Sequence, residues 1–181
     1  MKRFVFLTGL GVCLFLMNIL PLAHGGEGFA SLSVEDQKVR VELEKTLDEL
    51  REAAKDKDLQ KYLSLVESSK NDEPSPSVRM FQSGLSDFIY KMLSALRDPK
   101  QSKFLTLILQ KDRAGYVVQN NYWNKNTIEL TLAKFHRVNN TWKYQTNSYN
   151  KEWTARSTDP NEQIKEIKRE LETNPDFRLK E

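Results

Sequence analysis

Two hydrophobic periods divide this chain. From Ser33 to Arg97 apolar residues recur every three or four positions, the step of a helix with one buried side. Val39, Leu43, Leu47, Leu50 and Ala54 line up in this way, while Glu42, Glu44, Lys45, Asp48 and Glu49 fall elsewhere. Ser33 can cap the first helix with its hydroxyl oxygen, and Glu35 and Asp36 suit the positive end. Lys55-Asp56-Lys57 breaks the pattern, and Asp58 starts a shorter helix carrying Leu59, Tyr62, Leu63 and Val66. SSKNDEPSPS, residues 68–77, is polar, holds two prolines and reads as a loop joining helices. Val78, Phe81, Leu85, Phe88, Ile89, Met92 and Leu96 predict a third helix over 78–97. Asp98-Pro99 ends it, because a residue before proline is pushed out of helical geometry.

After Phe104 the period becomes two. FLTLILQ, residues 104–110, is apolar and β-branched and reads as a strand. Asp112 to Gly115 is a turn signal, and YVVQNNYW, 116–123, is the next strand. The stretch 127–149 then reads as a hairpin folded at Asn139-Asn140, since asparagine tolerates the positive φ of a tight primed turn. Ile128, Leu130 and Leu132 alternate with Glu129 and Thr131 on one arm, and Trp142 and Tyr144 with Lys143 and Gln145 on the other. A two-residue loop sets Arg137 opposite Trp142 and Phe135 opposite Tyr144. A three-residue loop that includes Thr141 sets Val138 opposite Trp142 and brings the aliphatic face beside the aromatics. The second is the expected register, because a one-residue slip would turn those aliphatics away; it also turns His136 inward.

Past Tyr149 the chain turns polar until Asp159-Pro160-Asn161-Glu162 opens a last helix, over 159–174, ended by Asn174-Pro175. Ile164, Ile167 and Leu171 make only a thin stripe, so this helix is expected on the surface or against a partner. The fold class expected is α+β: three N-terminal helices packed on a curved antiparallel sheet, with an extra C-terminal helix. One domain over residues 33–150 accounts for it, since neither the helices nor the strands alone could bury a core.

Composition changes this picture mainly at the N-terminus. Lys2-Arg3 precedes an apolar run, Phe4 to Leu22, and then Ala23-His24-Gly25-Gly26, the parts of a secretory signal peptide spanning 1–25. The run is also long enough to stay as an N-terminal membrane anchor, which needs about 20 apolar residues; Asn18 and Pro21 argue against that. Either way the domain is expected outside the membrane, periplasmic or extracellular. Without Lys2 and Arg3 the 28 basic residues fall to 26 against 25 acidic, a net charge of +1. That balance gives no electrostatic case for nucleic acid or an anionic membrane. The one cysteine, Cys13, lies in the same segment. No disulfide, thiol nucleophile or cysteine metal ligand is expected after its removal.

The order of elements and several short stretches resemble the nuclear transport factor two-like superfamily. They are Asp58-Leu59-Gln60-Lys61-Tyr62-Leu63 at a helix start, Ala114-Gly115-Tyr116-Val117-Val118, Ile128-Glu129-Leu130-Thr131-Leu132, and Thr141-Trp142-Lys143-Tyr144 after the turn. The likeness covers 33–150 and is greatest to small exported bacterial members. It implies a cone of sheet wrapped around helices, with any reactive carboxylate or His inside the cone. Asn-Asn stands where many relatives use Gly, and the last helix is outside their common core. Isomerases, dehydratases, hydrolases and plain binding modules share that fold, so it implies no single function.

The residues themselves offer little catalysis. His136 is the one histidine outside the signal segment, without His or Cys at ligand spacing, so neither a metal site nor a cofactor is expected. As a base it would need an orienting carboxylate, and Glu129 faces away from Ile128 and Leu130 on its own strand. No Gly-rich phosphate loop or nucleophile elbow occurs. No catalytic residue is therefore assigned. Tyr116, Tyr122, Trp142, Tyr144 and His136 are the candidate ligand-binding set. They read either as strand residues packing across a sheet or as an apolar pocket with a few phenols. The function expected is a non-catalytic exported domain that binds a small apolar ligand or an envelope protein through the concave sheet face, with a homodimer also in view. The alternatives are a small-molecule isomerase or hydratase using His136 or a Tyr, and an envelope assembly protein docking through its C-terminal helix.

Overall fold

The Ser33 hydroxyl accepts the Asp36 N–H at 3.0 Å and starts α1, Val34–Lys55. A computed structural model describes residues 31–67, 74–120, 127–145, 149–154 and 157–179. Asp58 caps α2, Leu59–Leu65, by accepting the Lys61 N–H at 2.9 Å. The expected third helix is two: α3, Pro76–Gln82, and α4, Ser86–Ala95. Gly84 separates them with φ at +81°, a left-handed conformation that ends a helix. Four helices therefore precede the sheet, not three. The apolar spacing runs unbroken through the kink, which is why periodicity alone hides it.

The strands are β1, Ser102–Gln110; β2, Arg113–Asn120; β3, Thr127–Val138; β4, Thr141–Tyr144; and β5, Tyr149–Thr154. All pair antiparallel, in the order β1-β2-β3-β4, with β5 also on β3. The β1–β2 turn is tighter than expected: Lys111 takes φ of +47°, and Ala114 and Gly115 already belong to β2. β3 is long enough to hold β2 along one side and two short strands in succession along the other. β4 pairs with 135–138 and β5 with 127–132. β5 was not expected, because YNKEWT shows no apolar alternation.

The β3–β4 turn has the two-residue register. Asn139 and Asn140 both take positive φ, +49° and +65°, and Val138 faces Thr141, Arg137 faces Trp142, and Phe135 faces Tyr144. That is a type I′ turn, whose twist matches the flanking strands. The expectation of a three-residue loop fails because it supposed one apolar sheet face, and this sheet has two. Ala114, Tyr116, Val118, Ala133, Phe135, Trp142 and Tyr144 face α1 to α4. Leu105, Val117, Ile128, Leu130 and Leu132 face the other way, onto Ile167 and Phe177. The aliphatics thus have cover without turning toward Trp142. Replacing Asn139 by Val is expected to cost about 1–2 kcal/mol, since a β-branched side chain resists left-handed backbone. Urea unfolding measures it; an unchanged midpoint would argue against this turn.

The last helix, α5, is Pro160–Thr173, with Asp159 accepting the Asn161 N–H at 2.9 Å. It does not lie loose on the surface. Ile167 is buried, and the 3-10 turn Pro175–Phe177 brings Phe177 and then Leu179 into the same layer. A Cβ on Gly115 would stand 2.7 Å from Leu132 Cδ1 and 3.4 Å from Leu179 Cδ2, so bare glycine lets this layer close. The molecule is α+β, with the sheet between two sets of helices.

Candidate functional site

Of the expected ligand-binding set, Tyr116, Trp142 and Tyr144 lie together on the sheet face that meets the N-terminal helices. All three are buried. Phe104 meets Tyr116 tilted by 43° with centroids 5.0 Å apart, and Phe135 meets Tyr144 edge-on at 5.6 Å. The Trp142 indole N–H donates to Glu42 Oε2 at 2.9 Å. Their rings fill the layer between helices and sheet. Tyr122 lies outside the described residues.

Tyr116 is tied to a charged network at the edge of that layer. Its hydroxyl donates to Glu44 Oε1 at 2.9 Å. The same oxygen receives Arg40 Nε and Arg97 Nη1, each at 2.9 Å. Burial and the adjacent Glu44 carboxylate push the Tyr116 phenol up to about 12, so it keeps its proton and remains a donor. Arg97 also reaches Asp48 at 3.4 Å, and Arg40 lies 3.9 Å over the Phe104 ring. Three elements, α1, the end of α4 and β2, meet on one carboxylate. Beside it runs an open groove of about 380 Å3 lined by Val41, Glu44, Asp48, Glu52, Lys61 and Arg97.

His136 stands apart from the aromatics. Strict alternation along β3 puts it on the face opposite Phe135, so it does not turn inward as the other register required. Its Nδ1 lies 2.7 Å from Glu67 Oε1 and its Nε2 3.0 Å from Asp112 Oδ2. Gln145 Nε2 donates to Glu67 Oε2 at 2.6 Å. A neutral imidazole donates from one of these nitrogens and an imidazolium from both. The backbone closes the same corner: Glu67 N–H bonds Tyr144 O at 2.9 Å, and Arg137 N–H bonds Asp112 O at 2.6 Å. This is a clasp joining the exit of α2, the β1–β2 turn and the end of β4.

Glu67 and Asp112 went unseen in the sequence because they stand 69 and 24 positions from His136. The β1–β2 turn signal places Asp112 near a hairpin end, but no spacing places Glu67. The His136 hydrogen bond holds the Asp112 carboxyl below its usual range. A depressed carboxylate stabilises the fold above its unfolded value and loses that contribution as pH falls through its native one. Stability is therefore expected to fall on acidification below about pH 4, near the unfolded aspartate value. His136→Ala should flatten this loss; urea midpoints between acid and neutral pH measure it.

Among the described residues, no group of three or more His, Cys, Asp or Glu is placed to hold a metal ion. Among them, too, no helix is long and apolar enough to cross a membrane; the apolar run 4–22 lies outside them. No protein-family model matches this chain, and no curated protein does.

Proposed function

We propose that this chain is an exported, non-catalytic domain that works by binding a protein partner on its outer surface, in the periplasm or outside the cell. The observation that carries the reading is the outward side of α4. Leu85, the residue that precedes the helix, is 47% and Phe88 55% exposed, with half-buried Met92 a turn beyond Phe88. Exposed apolar area of this kind is recovered when a partner covers it, at about 25 cal/mol per Å2. The burial of Tyr116, Trp142 and Tyr144 supports putting the contact here and not among the sheet aromatics. Helices followed by an antiparallel sheet support the nuclear transport factor two-like resemblance as part of the same proposal.

Photocrosslinking in the host from position 88 of the full-length protein tests it. The expected result is a discrete protein adduct from position 88 and none from exposed Glu172. Phe88→Ser should weaken the isolated partner's affinity roughly tenfold or more. Absence of any adduct, or a small apolar molecule retained in native mass spectrometry with no protein, would overturn the reading.

A second reading, a small-molecule isomerase or hydratase, draws on the two carboxylates beside His136. Against it, both ring nitrogens are already engaged, and the groove beside α1 is lined by other residues.

A further inference from the structure

The apolar stripe of α4 has its charges on one flank. Around the helix, Leu85 and Met92 lie to one side of Phe88, and Asp87 and Lys91 to the other, the two charges about 40° apart. Both are exposed, and among the described residues neither makes an ion pair. α1 differs, since Lys38, Arg40, Lys45 and Lys55 each pair with a glutamate three or four positions away. Four positions also separate Asp87 from Lys91, the spacing at which helix charges pair, yet no bridge joins them.

The order of these residues is its own complement when reversed. A two-fold axis that runs α4 antiparallel to a copy sets Leu85 against Met92 and Asp87 against Lys91. Both pairs centre at Phe88-Ile89, so a single axis serves them. Such an axis also turns each flank of the helix toward the same flank of its copy, so opposite charges meet twice. Phe88 then lies beside its own copy, a pairing that offset aromatic rings favour.

We propose that α4 is the self-association surface of this protein: a second copy, packed antiparallel about a two-fold axis, covers Leu85, Phe88 and Met92. This rests on the reading of α4 as a protein-binding surface and names the partner. Charge decides for a copy over an unrelated chain. Any apolar face could cover the stripe, but a reversed α4 brings a base to Asp87 and an acid to Lys91 in the register that also matches the apolar residues. The pairing is closed, because each copy has one α4 to offer. A helix about 15 Å long covers less than the roughly 800 Å2 per partner of a standard interface, so the dimer is weak and exchanges with monomer.

Sedimentation velocity of the purified protein from micromolar to millimolar concentration tests it, with Asp87→Lys and Lys91→Asp checked for fold by circular dichroism. The expected result is a monomer–dimer equilibrium that Phe88→Ser abolishes. Each reversal alone should weaken the dimer roughly tenfold, because like charges then face each other twice. Mixed, the two variants should form a heterodimer about as tight as the parent dimer, since one copy then carries two positive charges and the other two negative. A mass that stays that of one chain throughout overturns the proposal, and so do reversal variants that associate no better mixed than alone. Photocrosslinking from position 88 separates the two readings. An adduct of twice the chain mass supports both. An adduct with a different protein overturns the second copy and leaves the binding reading standing; no adduct overturns both.

Discussion

Glu44→Ala is expected to cost about 2–3 kcal/mol, between an exposed ion pair and a buried one, because the carboxylate is mostly covered while Arg40 and Arg97 stay partly in solvent. The carboxylate is mostly covered, and its Oε1 accepts from Arg40 and the Tyr116 hydroxyl and pairs with the Arg97 charge, each at 2.9 Å. Alanine leaves two partly exposed guanidinium groups and a buried phenol without their shared acceptor. The loss should far exceed that of Tyr116→Phe, which removes one neutral donor from an acceptor that keeps two others, about 1 kcal/mol. Glu44→Gln should fall between them, since the amide oxygen still accepts but carries no charge. Urea denaturation of the three variants gives the order. If Glu44→Ala costs under about 1 kcal/mol, the network behaves as exposed charge does and binds the elements no tighter than surface pairs.

Phe177→Ala is the second large effect, about 3–5 kcal/mol, the usual cost of emptying a buried aromatic site. Phe177 sits in the layer with Val117, Ile128, Leu130, Leu132 and Ile167, and it is almost fully enclosed. Its backbone is held by a 3-10 turn in which Asn174 Oδ1 accepts the Asp176 N–H at 2.9 Å. With the ring gone, α5 has little besides Ile167 and Leu171 to hold it to the sheet. Amide exchange should therefore rise along 160–173 before the rest of the fold opens, and a dye specific for exposed apolar surface should bind. A variant that melts like the parent, with α5 still protected, would mean that the sheet does not need this cover.

Local chemistry made much of this architecture readable. The caps at Ser33, Asp58 and Asp159 are set by side chains two or three residues from the amides they bond. The strand at 127–132 shows in its own alternation. What escaped was decided at a distance. The Asn139-Asn140 turn was recognisable, but its register depended on whether Ile128, Leu130 and Leu132 had cover other than Trp142 and Tyr144. That cover arrives from Ile167 and Phe177, more than thirty positions later. Gly84 was visible as a residue, yet Leu85, Phe88 and Met92 continue the spacing past it and mask the break. The aromatic set illustrates the same limit, because Tyr116 reads identically as a pocket wall or as a core residue. Only the helix bearing Glu44 decides which. His136 lacked a local carboxylate, and Glu67 comes to it solely because the α2 exit runs beside β4.

That last juxtaposition, Val66 bridging Tyr144 in parallel and the Glu67 amide bonded to the Tyr144 carbonyl, carries a cost in time. A ribosome delivers Leu43 about a hundred residues before Tyr144, an interval of roughly ten seconds at ordinary elongation rates. Through that interval the nascent α1 can pack on α2 and α4 alone, and the side that meets Trp142 and Tyr144 stays uncovered. Long-range closure of this kind slows collapse to the native state, so the helices wait for β4 before the layer between them and the sheet can close.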